Sequence, residues 1–216
     1  MNLPNYITLT RIFSVPALIW LLTTRHFSSA SGQKELLASL VFIAASITDG
    51  IDGYLARRRG QITTIGTLLD PLADKLLIAA AFVTLVQFNP RIVPAWMAVV
   101  IIGREFLVSG LRSIAASEGF AIQASELGKF KMFVQIVSVV AAILDHRWLY
   151  WTVGKYIFPI HVVAHVSMWF MVAISLISAG DYFVAFWSQI DRSVVQSRKR
   201  RAFILARQKK RDVAAT

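Results

Sequence analysis

The sequence predicts an all-α integral membrane protein of six transmembrane helices, with a short N-terminal interfacial segment and a basic cytoplasmic tail. Three observations lead there. Of 216 residues, 56% are hydrophobic and only 16% are charged, and the mean hydropathy is +0.59, a balance outside the range of soluble domains. Apolar runs recur at about the 20 residues needed to cross hydrocarbon, with no room between them for a soluble domain. Lys and Arg, finally, are distributed unevenly among the connections.

The first run, 7–24, contains Arg11 and is not followed by an A-x-A cleavage pattern, so it is expected to be a retained helix and not a signal peptide. Pro4 and Asn5 ahead of it suggest the interfacial segment, and Pro16 predicts a kink. Runs at 35–55 and 66–88 follow, joined by a short turn, and then 92–111 and 130–144. The last run, 158–187, is too long for one upright span and is expected to tilt or to project from the bilayer around Asp181. The chain thus divides into a membrane domain, 1–190, and a basic tail, 191–216, with no internal repeat.

An even number of spans puts both termini on one side. That side collects Arg57, Arg58, Arg59, Arg112, Lys129, Lys131 and the tail cations, whereas the other has only Arg25, Lys34, Arg91, Arg147 and Lys155. The positive-inside bias makes the first side cytoplasmic, in a multi-pass protein of the cell (inner) membrane. Trp148, Tyr150 and Trp151 then fall in an outer aromatic belt. The tail, attached to a membrane helix, is expected to meet anionic lipid head groups and not nucleic acid.

Against this apolar background stand Asp49, Asp52, Asp70 and Asp74. A carboxylate at membrane depth costs roughly 3 kcal/mol or more, so it is usually kept for a function. Four together repel one another unless a cation neutralises them. Cysteine is absent, so any metal must be held by oxygen or imidazole. At ~100° per helical residue, Asp49, Asp52, Gly53 and Ala56 share one helix face. Gly66, Asp70 and Asp74 follow at i, i+4 and i+8 on the next, and the short turn lets the two stripes face each other. Hard oxygen ligands in this number suit Mg²⁺ or Mn²⁺, and two such ions near ~4 Å apart clamp a phosphoryl group. Arg57, one turn beyond Gly53, offers a fork of donors to a diphosphate. A single interfacial Asp is commonly a cap or an ion pair; four at this spacing, with glycines and an arginine, are not.

The pattern D-x-x-D-G-x-x-A-R, a spacer, then G-x-x-x-D-x-x-x-D, beginning at Asp49, resembles the signature of the CDP-alcohol phosphotransferase family, integral membrane enzymes that join an alcohol to a phosphatidyl or similar group and release CMP. Every signature position is matched. The resemblance implies that Asp49, Asp52 and Asp70 bind metal, and that Asp74 is the general base and also touches the second ion. It further implies that Gly53, Ala56, Arg57, Thr63 and Gly66 line the CDP moiety, that the segment around Asn5 and Thr8 closes over the nucleotide, and that the enzyme is a homodimer. No His, Ser or Cys nucleophile is needed, and direct transfer is the simpler chemistry.

Outside the signature, residues 4–11 (P-N-Y-I-T-L-T-R), 103–105, Arg112 with the A-A-S-E-G that follows from Ala115, and 127–131 (L-G-K-F-K) are similar to the branch whose acceptor is glycerol 3-phosphate. Met132 stands where that branch carries Thr, and the tail lies outside its pattern. The expected substrates are therefore CDP-diacylglycerol and glycerol 3-phosphate. Arg104, Arg112, Lys129 and Lys131 are the candidate cations for the acceptor phosphate, and Lys75 is a candidate partner for a carboxylate. The alternatives are another acceptor (inositol phosphate, serine, phosphatidylglycerol), a prenyltransferase, or a cation transporter. His161 and His165 lack the Glu of H-E-x-x-H and are expected to pack or to hydrogen-bond between helices.

Overall fold

The computed structural model describes the backbone of residues 3–24, 32–59, 64–118, 127–153 and 156–215, and side chains over 9–24, 32–48, 69, 71–118, 130–152 and 157–190. Six helices carry the described chain: α1 (Leu3–Thr23), α2 (Gln33–Arg59), α3 (Thr64–Phe88), α4 (Ala95–Ser117), α5 (Leu127–Asp145) and α6 (Ile160–Ala215). A two-stranded antiparallel hairpin, β1 (Trp151–Val153) and β2 (Tyr156–Phe158), pairs Trp151 with Phe158 before α6 begins.

Several boundaries differ from the sequence expectation. α1 runs unbroken from Leu3, so the interfacial segment is not a separate element. Pro4 falls in the first turn, where no intrahelical N–H bond is lost. α4 starts at Ala95, three residues later than the apolar run, because Pro94 directs the chain and its carbonyl accepts the Met97 N–H at 3.0 Å. α6 continues as helix through the basic tail. The hairpin has no counterpart in the sequence expectation, since its strands lie within an aromatic-rich stretch that reads as interface.

The chain forms two compact units, Met1–Phe106 with Ser125–Leu176, and Leu107–Ala124 with Ile177–Thr216. In the first, α1 packs on α2 and α3, and α5 packs on both of those helices. Its centre is a cluster of fully buried side chains, among them Leu18, Phe42, Leu77, Phe82, Leu85, Ile101, Ile143, Met168 and Met171. Small residues let the backbones approach: Ala38, Ala45 and Ser46 on α2, Ala73 and Ala81 on α3, and Ala142 on α5 are all buried. Such packing drives association where the hydrophobic effect between helices is absent. Ser138 Oγ on α5 lies 2.9 Å from the Ser167 carbonyl of α6, a hydrogen bond between helices.

The opposite faces are equally apolar. Phe13, Val83, Val99, Phe133 and Val166 are largely exposed although each shares a helix with buried core residues. Pro71–Phe88 and Ile160–Ile190 are long and apolar enough to cross a bilayer, and Leu9–Thr23 forms a shorter apolar helix. Apolar surface outside as well as inside marks a protein whose solvent is lipid. In the second unit the same character recurs, with Ile114, Phe183, Val184 and Trp187 exposed.

One turn requires glycine. Gly32, just before α2, has φ 64°, and a Cβ there would run into the Trp148 ring. Gly32→Ala is expected to cost about 1–2 kcal/mol from the left-handed backbone alone, with further loss as Trp148 is displaced. A lowered Tm in detergent would show it, and a wild-type Tm would contradict the turn geometry.

Candidate active site

α2 and α3 are each continuous through the aspartate motif, α2 to Arg59 and α3 from Thr64. The helical phase that groups Asp49, Asp52, Gly53 and Ala56, and that stacks Gly66, Asp70 and Asp74, therefore holds in the backbone. The two helices are also packed neighbours. The side chains of Asn5, Thr8, Asp49, Asp52, Ala56, Arg57, Asp70 and Lys129 lie outside the described residues, as do residue Thr63 and the local surroundings of Gly53 and Gly66. Pro71 lies within α3 directly after Asp70, and its carbonyl accepts a hydrogen bond from Lys75 Nζ at 3.1 Å, which is how Lys75 is engaged.

Asp74 is described in full, side chain and surroundings. The half-buried carboxylate lines a cavity of about 170 Å³ together with Ser46, Ile78, Glu105, Lys131, Met132, Gln135 and Ile136. Four helices supply this wall: α2 gives Ser46, α3 gives Asp74 and Ile78, α4 gives Glu105, and α5 gives the rest. Lys131 Nζ donates to Glu105 Oε1, and Arg104 Nη1 reaches the same oxygen at 3.2 Å. The Lys131 and Glu105 side chains are 8% and 16% exposed, so this is a desolvated charge cluster and not a surface ion pair.

The sequence marks Arg104 and Lys131 as acceptor cations, and the structure joins them through Glu105. In the sequence Glu105 is only part of a three-residue motif. The cost that marks the aspartates applies to it equally, since an unneutralised carboxylate inside a span is unfavourable; its ammonium partner, 26 positions away, is not readable from spacing. Met132, the departure from the branch pattern, faces the same cavity. Arg112 belongs to the second unit, where Nη2 donates to Tyr182 Oη at 2.8 Å.

His161 Nδ1 lies 2.8 Å from Asp145 Oδ1, as expected of a hydrogen-bonding histidine. Asn89 Nδ2 donates to Asp145 Oδ2 at 3.0 Å and to the Ala142 carbonyl at 3.1 Å, tying the end of α3 to the end of α5. Among the described residues no three or more His, Cys, Asp or Glu side chains gather as a metal site. The oxygen-rich donor set at Asp49, Asp52, Asp70 and Asp74 is of the kind that fits a hard divalent cation.

Asp74, Glu105 and Lys131 thus line one cavity of a helical protein whose outer faces are apolar, the class of a helical membrane protein. Residues 1–177 match the CDP-alcohol phosphatidyltransferase family, and the chain belongs to that family. A relative from Bacillus subtilis (strain 168), named CDP-diacylglycerol–glycerol-3-phosphate 3-phosphatidyltransferase, is 40% identical over 199 residues, covering 89% of this chain and 98% of its own. A relative of the same name from Rickettsia bellii is 35% identical, with 85% and 94% covered. The probable phosphatidylglycerophosphate synthase of Mycobacterium tuberculosis is likewise 35% identical, with 84% and 79% covered. The fold is similar to that of the phosphatidylinositol phosphate synthase of Mycobacterium tuberculosis solved with manganese and citrate, at TM-score 0.59 and 19% identity over 84% of this chain and 82% of that one.

Proposed function

We propose that the protein transfers the phosphatidyl group of CDP-diacylglycerol to the primary hydroxyl of glycerol 3-phosphate, giving phosphatidylglycerol phosphate and CMP in phospholipid biosynthesis. The single observation that carries the reading is the cavity that places Asp74, Glu105 and Lys131 together, in a chain whose relatives bear that activity in their names over most of their length. Family membership removes the prenyltransferase and transporter readings.

In this reading Asp74 accepts the proton of the attacking hydroxyl. The new bond forms between that oxygen and the β-phosphorus, and the bond from the β-phosphorus to the bridging oxygen breaks, releasing CMP. Asp49, Asp52, Asp70 and Asp74 would hold two divalent cations, Mg²⁺ or Mn²⁺, which when bound supply positive charge to the diphosphate oxygens. Gly53 and Ala56 leave room for the nucleotide, and Arg57 grips the diphosphate as a bidentate donor. Thr63, Gly66, Asn5 and Thr8 are assigned to the nucleotide with them, by resemblance to the family. Lys131, with Arg104 and Lys129, meets the acceptor phosphate, while Glu105 fixes the Lys131 ammonium in place.

The same reading has six spans, both termini and the active site on the cytoplasmic side of the cell membrane, and a homodimer. The basic tail, 191–216, lies against anionic lipid. Purified protein given CDP-diacylglycerol, Mg²⁺ and each candidate alcohol in turn tests the acceptor. Glycerol 3-phosphate is expected to release CMP fastest; inositol phosphate or serine in first place would overturn that assignment while leaving the chemistry intact. Chelation with EDTA is expected to abolish CMP release, with recovery on adding Mg²⁺ or Mn²⁺; activity that survives chelation contradicts the metal role of the aspartates.

A further inference from the structure

A second polar cavity lies at the far end of the same unit. It has a volume of about 280 Å³ and is lined by Leu22, Thr23 and Thr24 of the α1 end, Lys34 of α2, Thr84, Gln87 and Phe88 of α3, and His146. On α3 its wall begins ten residues beyond Asp74 and reaches Phe88, about 20 Å away along the helix axis. It is therefore separate from the catalytic cavity.

Its charge is unusual. Lys34 is 8% exposed, and its ammonium sits 5.0 Å from the centroid of the Phe88 ring. Among the described residues no carboxylate lines the cavity. The adjacent acid, Glu35, is fully buried outside the lining, with Oε1 3.2 Å from His146 Nδ1. His146 in turn stacks on Phe88 with centroids 3.9 Å apart. Among the described residues the Lys34 ammonium has no hydrogen-bond acceptor. A cation more than nine-tenths buried, resting on a ring face and aimed into a polar cavity, is short of an anion.

The remaining lining narrows the ligand. The hydroxyls of Thr23 and Thr84 donate to the Ile19 and Ala80 carbonyls, both at 2.7 Å, so the donors left for a ligand are chiefly the Lys34 ammonium and the Gln87 amide. Lys34 lies in the first turn of α2, where the helix dipole adds positive potential. We propose that this cavity binds a phosphate group through Lys34 and Gln87, at the membrane face opposite the active site. A phospholipid head group and free phosphate share this chemistry, and in the proposed six-span arrangement these helix ends fall at the lipid head groups.

The test uses the full chain in a phosphate-free maltoside detergent, with radiolabelled short-chain phosphatidylglycerol and inorganic phosphate as separate probes in equilibrium binding. Lys34→Gln and Gln87→Glu are each expected to weaken binding roughly tenfold or more, while Lys34→Arg retains it. Lys131→Gln, altered only in the catalytic cavity, is expected to remove at most the binding at the acceptor site and to keep the component that Lys34→Gln abolishes. CMP release by Lys34→Gln stays at the wild-type level, so a failure here is distinguishable from a failure of the enzyme assignment. Lipid binding without phosphate binding identifies the head group as the source, and displacement of lipid by phosphate identifies the free ion. Binding by both Lys34→Gln and Gln87→Glu at wild-type strength, or no binding of either probe to the wild type, overturns the proposal.

Discussion

Asp74→Asn is expected to lower the turnover number for CMP release by about a thousandfold or more. The substitution is nearly isosteric, and Asp74 lines an open cavity, so the fold has no reason to change. In the proposed reaction it removes both the oxygen that takes the proton of the attacking hydroxyl and one ligand of a metal. The loss should fall on turnover, since the group acts in the transition state and not in ground-state binding. Initial rates with saturating CDP-diacylglycerol and acceptor would measure it. A variant that retains near-wild-type turnover would remove Asp74 from the chemistry.

Lys131→Gln is expected to act differently. The ammonium is held on the Glu105 carboxylate at the cavity wall, where it can present its remaining protons to a phosphate dianion. A charge-assisted hydrogen bond is worth about 1.5–3 kcal/mol, so KM for glycerol 3-phosphate should rise roughly tenfold to a hundredfold, with KM for CDP-diacylglycerol unchanged. Glu105→Gln should produce a smaller rise in the same constant, because it leaves the cation present but less firmly placed. If Lys131→Gln instead raised KM for the nucleotide substrate, the cavity would belong to the other half of the reaction. A double-mutant cycle between the two residues should show strong coupling, since each is the other's partner in a desolvated site.

Much of this arrangement is legible in the sequence because two periodicities are strong. The apolar runs mark the helices, and i, i+3, i+4 spacing marks the aspartate stripes; α2 and α3 are indeed unbroken through both motifs. Anything set by distant pairing is not legible in this way. Glu105 and Lys131 meet across two helices, Gly32 is required by the Trp148 ring, and Asn89 bridges to Asp145. None of these leaves a local trace. The hairpin at Trp151–Val153 and Tyr156–Phe158 is hidden for another reason, since aromatic side chains suit both a membrane interface and a short strand pair. The continuity of α1 from Leu3 is the reverse case: Pro4 suggests a break, yet at a helix start proline costs nothing.

In the proposed reaction a hydroxyl oxygen displaces CMP directly at the β-phosphorus, without a covalent enzyme intermediate. CDP-diacylglycerol with sulfur in place of one non-bridging β-oxygen, of known configuration at phosphorus, turned over by the purified protein with glycerol 3-phosphate, tests this by the configuration of the thio-substituted lipid product. Direct displacement predicts inversion at that phosphorus, with CMP released in equal amount. Retention, the outcome of two successive displacements through an enzyme-bound intermediate, would contradict it.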